Sequence, residues 1–434
     1  MIKLPQEFKN NMKDLLGDEY EAFLSSYDLP QYKGLRLNTL KIEDCCLLPF
    51  DLEPIPWCET GFYYKEDGPG KHVYHDMGLY YIQEPSAMSV VEELDIQPND
   101  VCLDMCAAPG GKSTQIAAKL NGTGILVSNE IIPSRAKILS SNIERMGIIN
   151  SVVINENPKN VAKHFPKKFD KILVDAPCSG EGMFRKNEEA IDEWSEENVS
   201  MCATRQLDIL IEAEKCLKDK GRIVFSTCTF SRLENEGVIN KFLELYPAFH
   251  LVKPKHEFTH GLDEAGLCQR IYPHKVKGEG HFFAVLDRDG EAEESVFKCK
   301  DIKQDKEFEK FVKETLSVDI KYNLVFGSNF YYSPIQKLDG IKVERPGLHL
   351  GELKKNRFEP SHSLALALKR EDFKNVIDLE LGSDDLKKYL SGETIETDLV
   401  GWGVVCVDGF TLGLFKGDGR IAKNHYPKGL RKPF

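Results

Sequence analysis

Between residues 98 and 286, six short apolar runs alternate with amphipathic stretches, and this alternation restricts the fold more than any other feature of the chain. The runs are DVCLDM, GILVSNE, NSVVIN, DKILVDA, GRIVFSTC and GHFFAVLD. Between them lie helical patterns such as KSTQIAAKL, SRAKILSSNIERMG, ATRQLDILIEAEKCL and ENEGVINKFLELY. Strands that are apolar almost throughout suit a sheet buried on both faces, which helical crossovers provide. The expectation is an α/β domain with a doubly wound, mainly parallel sheet of Rossmann-like type. Such sheets bind ligands beyond the carboxyl ends of their strands, so functional residues are sought there.

At 434 residues the chain is expected to hold several domains. Residues 1–80 read as a small N-terminal α+β domain, with Phe8, Met12, Leu15 and Leu16 at helical spacing. The alternating domain spans 81–290, and the charged, apolar-poor segment 291–306 reads as a linker. A first C-terminal α/β domain is expected over 307–380 and a β-rich module over 381–434. In that module GWGVVCVDGFTLGLFKGDGR sets apolar runs between glycine-containing turns.

No apolar run approaches the roughly 20 residues that span a bilayer, and the N-terminus lacks a signal-peptide core. A cytoplasmic monomer with no membrane contact is expected. The 12 cysteines are dispersed, with no C-x-x-C pair and no zinc-ligand spacing, so reduced thiols and no metal are expected. The net charge of −12 argues mildly against a polyanionic partner. Local distribution matters more, however, and basic residues gather at Lys159, Lys163, Lys167, Lys168, Lys171, Arg185 and Lys186. The tail adds Lys416, Arg420, Lys423, Lys428, Arg431 and Lys432. RNA is the partner such clusters would suit.

The strand ends carry the chemistry. DMCAAPGGKS is a strand, a glycine turn and a helix start, yet it is neither G-x-G-x-x-G nor the Walker loop. Its glycines let backbone approach a ligand, and the helix N-terminus favours polar or negative groups. Glu130 ends the second run, where an acid can bond ribose hydroxyls. Asn157 follows the third run and Asp175 ends the fourth. Cys178 in DAPCSGEG and Cys228 in STCT each follow a strand, so the sheet should bring both to the edge that holds the glycine loop. Either thiol could serve as a nucleophile.

Together DMCAAPGGKS, DAPCSGEG and STCT, with RLNTLK and QEPSAMSV upstream, resemble the Nol/Nop/Sun (Fmu) family of S-adenosylmethionine-dependent RNA cytosine-5 methyltransferases. Among these the chain looks most like the RsmF type, which acts on 16S rRNA near the decoding region. The resemblance implies that Cys106, Ala107, Ala108, Pro109, Gly110, Gly111 and Lys112 form the methionine and ribose side of the S-adenosylmethionine site. Glu130 would hold the ribose hydroxyls, and Asp175 would line the slot near the target base. Asn157 falls where the family commonly has an adenine-side Asp; it keeps an acceptor oxygen. Arg36 and Asn38 match an R-x-N motif that helps position RNA, with Arg185, Lys428 and Arg431 as further RNA-binding candidates. The C-terminal module would be PUA-like.

The family's nucleophile is the cysteine of its TC motif. Cys228 would therefore add to cytosine C6, Cys178 would help release the product, and Lys112 would support Asp175. Methylation of an exocyclic amine would instead call for an N/D-P-P-Y/F-like turn where this chain has DAPCSG. A non-catalytic ribosome-assembly factor would not need intact PGGK and TC motifs, and tRNA is an alternative RNA substrate.

Overall fold

The computed structural model describes residues 3–291 and 297–433, so residues 292–296 of the expected linker lie outside it. All six apolar runs form strands of a single ten-stranded sheet. In chain order these are β1 (Val101–Asp104), β2 (Ile125–Asn129), β3 (Ser151–Ile154), β4 (Phe169–Asp175) and β5 (Leu217–Thr227). Then come β6 (Phe249–Leu251), β7 (Thr259–His260), β8 (Gln269–Ile271), β9 (His281–Arg288) and β10 (Val343–Arg345). Helices α1 (Gly111–Leu120), α2 (Pro133–Arg145), α3 (Pro158–His164), α4 (Glu196–Cys216) and α5 (Glu236–Leu245) occupy the crossovers.

The spatial order is β7-β8-β9-β5-β4-β1-β2-β3-β10, with β6 paired to β9. Strands β3, β2, β1, β4 and β5 are mutually parallel, and β9 runs antiparallel to β5. The winding reverses at β1, between β2 and β4, which opens a crevice at that point. Because side chains alternate along a strand, each run supplies both faces. Leu103, Val127, Val152, Ile172 and Phe225 enter one core, while Cys102, Leu126, Val153, Leu173 and Val224 enter the other. Each such aliphatic burial contributes about 1.5–3 kcal/mol. Cys102 is one of these core side chains.

The N-terminal segment packs the helix Gln6–Leu16 by Phe8 and Met12, with the Phe8 ring 5.1 Å from that of Phe184 in the main domain. A four-stranded antiparallel sheet follows, built from Lys33–Leu37, Glu53–Ile55, Cys58–Tyr64 and Tyr80–Ile82. The C-terminal part holds a four-stranded and a five-stranded sheet. In the latter, Val400–Val407 and Phe410–Asp418 form a hairpin that turns at Asp408 and Gly409, both with positive φ, as a tight Asp-Gly turn requires. The strand Val376–Leu379 pairs in parallel with Val400–Val407, so this sheet begins ahead of residue 381.

One connection crosses the expected domain division. Strand β10, from beyond the linker, pairs antiparallel with β3, and Lys342 N donates to Glu156 Oε1 at 2.8 Å. Among the described residues no helix is long and apolar enough to cross a membrane.

Candidate active site

The carboxyl ends of β1, β2, β4 and β5 enclose a cavity of about 470 Å³, a size suited to a nucleoside-sized ligand. Cys106 and Ala108 line it after β1, Glu130 to Ile132 after β2, Asp175 to Cys178 after β4, and Cys228 after β5. Pro158 and two side chains of α4, Arg205 and Ile209, complete the wall.

Strand register explains how two cysteines 50 residues apart meet. Asp175 on β4 lies opposite Ser226 on β5, so Cys178 and Cys228 follow a matched pair by three and two residues. Their sulfurs lie 3.2 Å apart, well beyond the roughly 2.05 Å of a disulfide, so these are two free thiols in contact. The hydrogen bond to Cys228, together with burial, pushes the Cys178 thiol well above its ordinary range. Cys178 is therefore held protonated.

Asp175 is fixed from three sides. Lys112 Nζ donates to Oδ2 at 2.8 Å, Ser226 Oγ donates to Oδ1 at 2.7 Å, and His281 Nε2 lies 3.7 Å from Oδ1. Burial favours the neutral acid, but Lys112 and His281 outweigh it and hold the carboxyl well below the usual range. For Lys112, burial favours the neutral amine, yet Asp175 overcomes it and raises the pKa. Asp175 thus faces the cavity as a carboxylate, an acceptor and not an acid.

The wall beyond β1 and β2 is built differently. Gly110 precedes α1 at φ +116°, and a side chain there would meet Leu139 at 3.1 Å. Ala107 N donates to Asn129 O at 2.8 Å, Arg135 Nη2 to Ala108 O at 2.8 Å, and Asn142 Nδ2 to Pro109 O at 2.8 Å. These bonds fix the loop through its backbone and leave its small side chains beside the cavity. Glu130 is 3% exposed; Oε1 accepts from Ile132 N at 2.9 Å, and Oε2 lies 3.4 Å from Arg135 Nη1. A buried carboxylate with unused acceptor capacity beside a helix N-terminus fits a ligand bearing neighbouring hydroxyls. The donor set accordingly suits S-adenosylmethionine.

Four sequence expectations need correction. Asn157 is exposed and does not line the cavity; its Oδ1 accepts from Asn160 N at 2.9 Å and caps α3 ahead of Pro158. Arg36 has no exposed surface and donates to Gln83 Oε1, Gly111 O and Thr114 Oγ1, bracing the first turn of α1. Asn38 is equally buried and donates to Gly78 O and Met146 O. Arg185 pairs with Glu279 at 2.6 Å and donates to Ser26 O at 2.6 Å, tying the N-terminal segment down. None of these three cations and amides presents a surface to RNA. Lys428 is exposed, and Arg431 is half-buried with its guanidinium on Tyr426 O at 3.3 Å.

Several residues around the site escape sequence reasoning. Arg205 enters from mid-helix, and His281 from the start of β9. Glu181 is buried with Trp194 Nε1 at 3.0 Å and Phe230 N at 2.8 Å, and burial pushes its pKa up to about 7. A cation inside an amphipathic helix, a histidine opening a strand and an acid in a loop each read as ordinary surface residues, so local pattern gave no signal for them.

The sheet order, the inserted antiparallel β9 and the crevice at β1 are those of the class I S-adenosylmethionine-dependent methyltransferases, and this fold belongs to that class. Family models extend the match over most of the chain. Residues 91–287 match 16S rRNA methyltransferase RsmB/F, and 4–85 match the N-terminal domain of 16S rRNA methyltransferase RsmF. Residues 308–368 match the RsmF rRNA methyltransferase first C-terminal domain, and 376–432 the methyltransferase RsmF PUA domain. The ribosomal RNA small subunit methyltransferase F of Vibrio vulnificus (strain YJ016) is 32% identical over 464 residues, covering 99% of this chain and 98% of that one. That of Erwinia tasmaniensis is 32% identical, covering 99% and 97%. Among solved structures, a methyltransferase homolog protein from Pyrococcus horikoshii aligns with TM-score 0.59 at 26% identity, over 65% of this chain and 95% of that one. NSun6 from Pyrococcus horikoshii with SFG shares the fold, with TM-score 0.60 at 22% identity over 66% and 99%. The chain belongs to the RsmF family of ribosomal RNA small subunit methyltransferases.

Proposed function

We propose that this protein methylates C5 of cytosine in 16S rRNA, near the decoding region, through a covalent bond between Cys228 and C6. The observation that carries this reading is the pair of free thiols 3.2 Å apart, beside the Lys112–Asp175 ion pair in one cavity. Methylation of an exocyclic amine needs no thiol, whereas carbon C5 must first be made nucleophilic. The names of the relatives supply the RNA class, and the match to a PUA domain supports RNA as the partner.

Cys106 to Lys112 and Glu130 would hold S-adenosylmethionine, which when bound would supply an electrophilic methyl group. A flipped cytosine enters the cleft between the two thiols and Asp175. Cys228 Sγ adds to C6, breaking the C5–C6 double bond and placing electron density on C5. The Asp175 carboxylate accepts a hydrogen bond from the base edge and favours its N3-protonated form. C5 would then take the methyl group as the S–CH3 bond breaks and S-adenosylhomocysteine departs. H5 leaves as a proton to water, the C5–C6 double bond reforms and Cys228 departs as a thiolate. Cys178, held protonated against Cys228, takes part in that release. Lys112 keeps Asp175 ionised.

The test is product identity. Nuclease digestion and mass spectrometry of 16S rRNA from a strain lacking the protein should show one or more 5-methylcytosines lost, and restored by the full chain. A missing N4-methylcytosine, or a loss confined to tRNA, contradicts the proposal.

A further inference from the structure

Glu234 has no exposed surface and touches neither the cavity nor solvent. Its Oε2 accepts from Ser179 N and Gln206 Nε2, both at 2.9 Å. Its Oε1 accepts from Ser179 Oγ and, at 3.2 Å, from Thr229 Oγ1. Ser179 directly follows Cys178 and Thr229 directly follows Cys228, and their hydroxyls lie 3.0 Å apart. Gln206, on α4, also donates to Pro177 O at 3.0 Å, just ahead of Cys178. A single carboxylate therefore gathers both cysteine turns.

These donors are neutral, and an ionised carboxylate buried without a cation is costly unless its lone pairs are filled. What a carboxylate provides and an amide cannot is acceptance from all four at once. The two turns are not equally dependent on it. Asn235 separately holds both neighbours of Cys228, accepting from Thr227 Oγ1 at 2.6 Å and donating to Thr229 O at 3.0 Å. The Cys178 turn is clamped by Gln206 on Pro177 O and by the Ser179–Thr229 contact, but Gln206, Ser179 and Thr229 all donate to Glu234 themselves, so these clamps run through the same carboxylate.

We infer that Glu234 is a positioning residue that sets the separation of the Cys178 and Cys228 thiols, acting through Ser179 and Thr229. Its catalytic consequence rests on the covalent reading above, while its geometric consequence does not. Removing the brace frees the Cys178 turn first. Bond formation by Cys228 then persists and release slows.

The variant is Glu234→Gln in the full chain, with S-adenosylmethionine binding and the melting transition confirming the fold. Phenylarsine oxide, which bridges two adjacent thiols, reads their separation without any RNA. Its affinity should fall about tenfold, the loss of one charge-assisted contact. In turnover, kcat should fall about 100-fold at unchanged KM for RNA, as for a misplacement near 1 Å. The share of enzyme trapped as an SDS-resistant RNA adduct should rise. If the variant does not fold, Ser179→Ala takes its place, since it deletes one brace contact and keeps the backbone bond. Unchanged arsenical affinity, or equal loss of adduct formation and release, overturns the inference. Absence of any adduct in Cys178→Ala instead fails the covalent reading and leaves the arsenical result to decide the brace.

Discussion

On the β1–β2 side the cleft is lined by Cys106 and Ala108 of the glycine loop and by Ile131 and Ile132, with Glu130 held by one backbone N–H and a 3.4 Å approach to Arg135. On the β4–β5 side the Asp175 carboxylate is fixed by Lys112 and Ser226, with His281 close by, and the two thiols touch. The first wall keeps acceptor capacity for a ligand that arrives and leaves at every turnover. The second is preorganised before anything binds, as groups that stabilise developing charge must be. One cavity thus combines a loosely held binding wall with a reacting wall in which the Asp175 carboxylate is already bonded by Lys112 and Ser226.

If the walls are separable, their variants should divide along the same line. The largest effect is expected from Asp175→Asn, which leaves Lys112 buried without its counter-ion and removes the acceptor facing the base. Single-turnover methyl transfer should slow by about 10²–10³-fold, with cofactor affinity nearly unchanged. A comparable loss of cofactor affinity would merge the two walls. Glu130→Gln should do the reverse. Calorimetry should show S-adenosylmethionine bound about tenfold more weakly, with transfer at saturating cofactor unaltered. A fall in the saturated rate would place Glu130 in the reacting wall.

The smallest effect concerns Asp104, which lies buried at the end of β1, between the two walls, and accepts from Ser113 Oγ at 2.7 Å. Burial, reinforced by Asp175, pushes its pKa up to about 7. A carboxyl whose pKa is higher folded than unfolded favours the native state below about pH 4. That advantage is lost as pH rises through about 7. Asp104→Asn removes this dependence. The melting temperature of the variant relative to the native chain should climb from pH 5 to pH 8, by the equivalent of about 2–4 kcal/mol at most. A constant difference across that range would show that Asp104 does not titrate there.

Much of this architecture was legible because its cause is local. Continuous apolar strands between amphipathic helices require a parallel sheet, and a parallel sheet places Cys178, Cys228, Asp175 and Glu130 at one edge. The N-terminal helix was equally plain from Phe8 and Met12, both of which are buried. Legibility stopped where a residue's role depends on what lies across the fold. Arg36 looks like a cation for RNA, yet 75 residues away in sequence the carbonyl of Gly111 is waiting for it. Asn157 sits next to the right strand end, but a proline beside it makes helix capping the nearer use of its oxygen. β10 joins β3 across nearly 190 residues, and no local periodicity encodes such a pairing. Glu234 and Asn235 read as the opening residues of the helical stretch ENEGVINKFLELY, whereas they precede the helix and brace the turns of both cysteines.

The division of labour between the thiols is tested most directly by trapping. The native chain, Cys178→Ala and Cys228→Ala are each incubated with 16S rRNA and S-adenosylmethionine and then denatured in SDS. Cys178→Ala should accumulate a protein–RNA adduct that survives denaturation, and Cys228→Ala should form none while losing methyl transfer. An adduct in Cys228→Ala, or normal turnover by Cys178→Ala, would contradict the assignment.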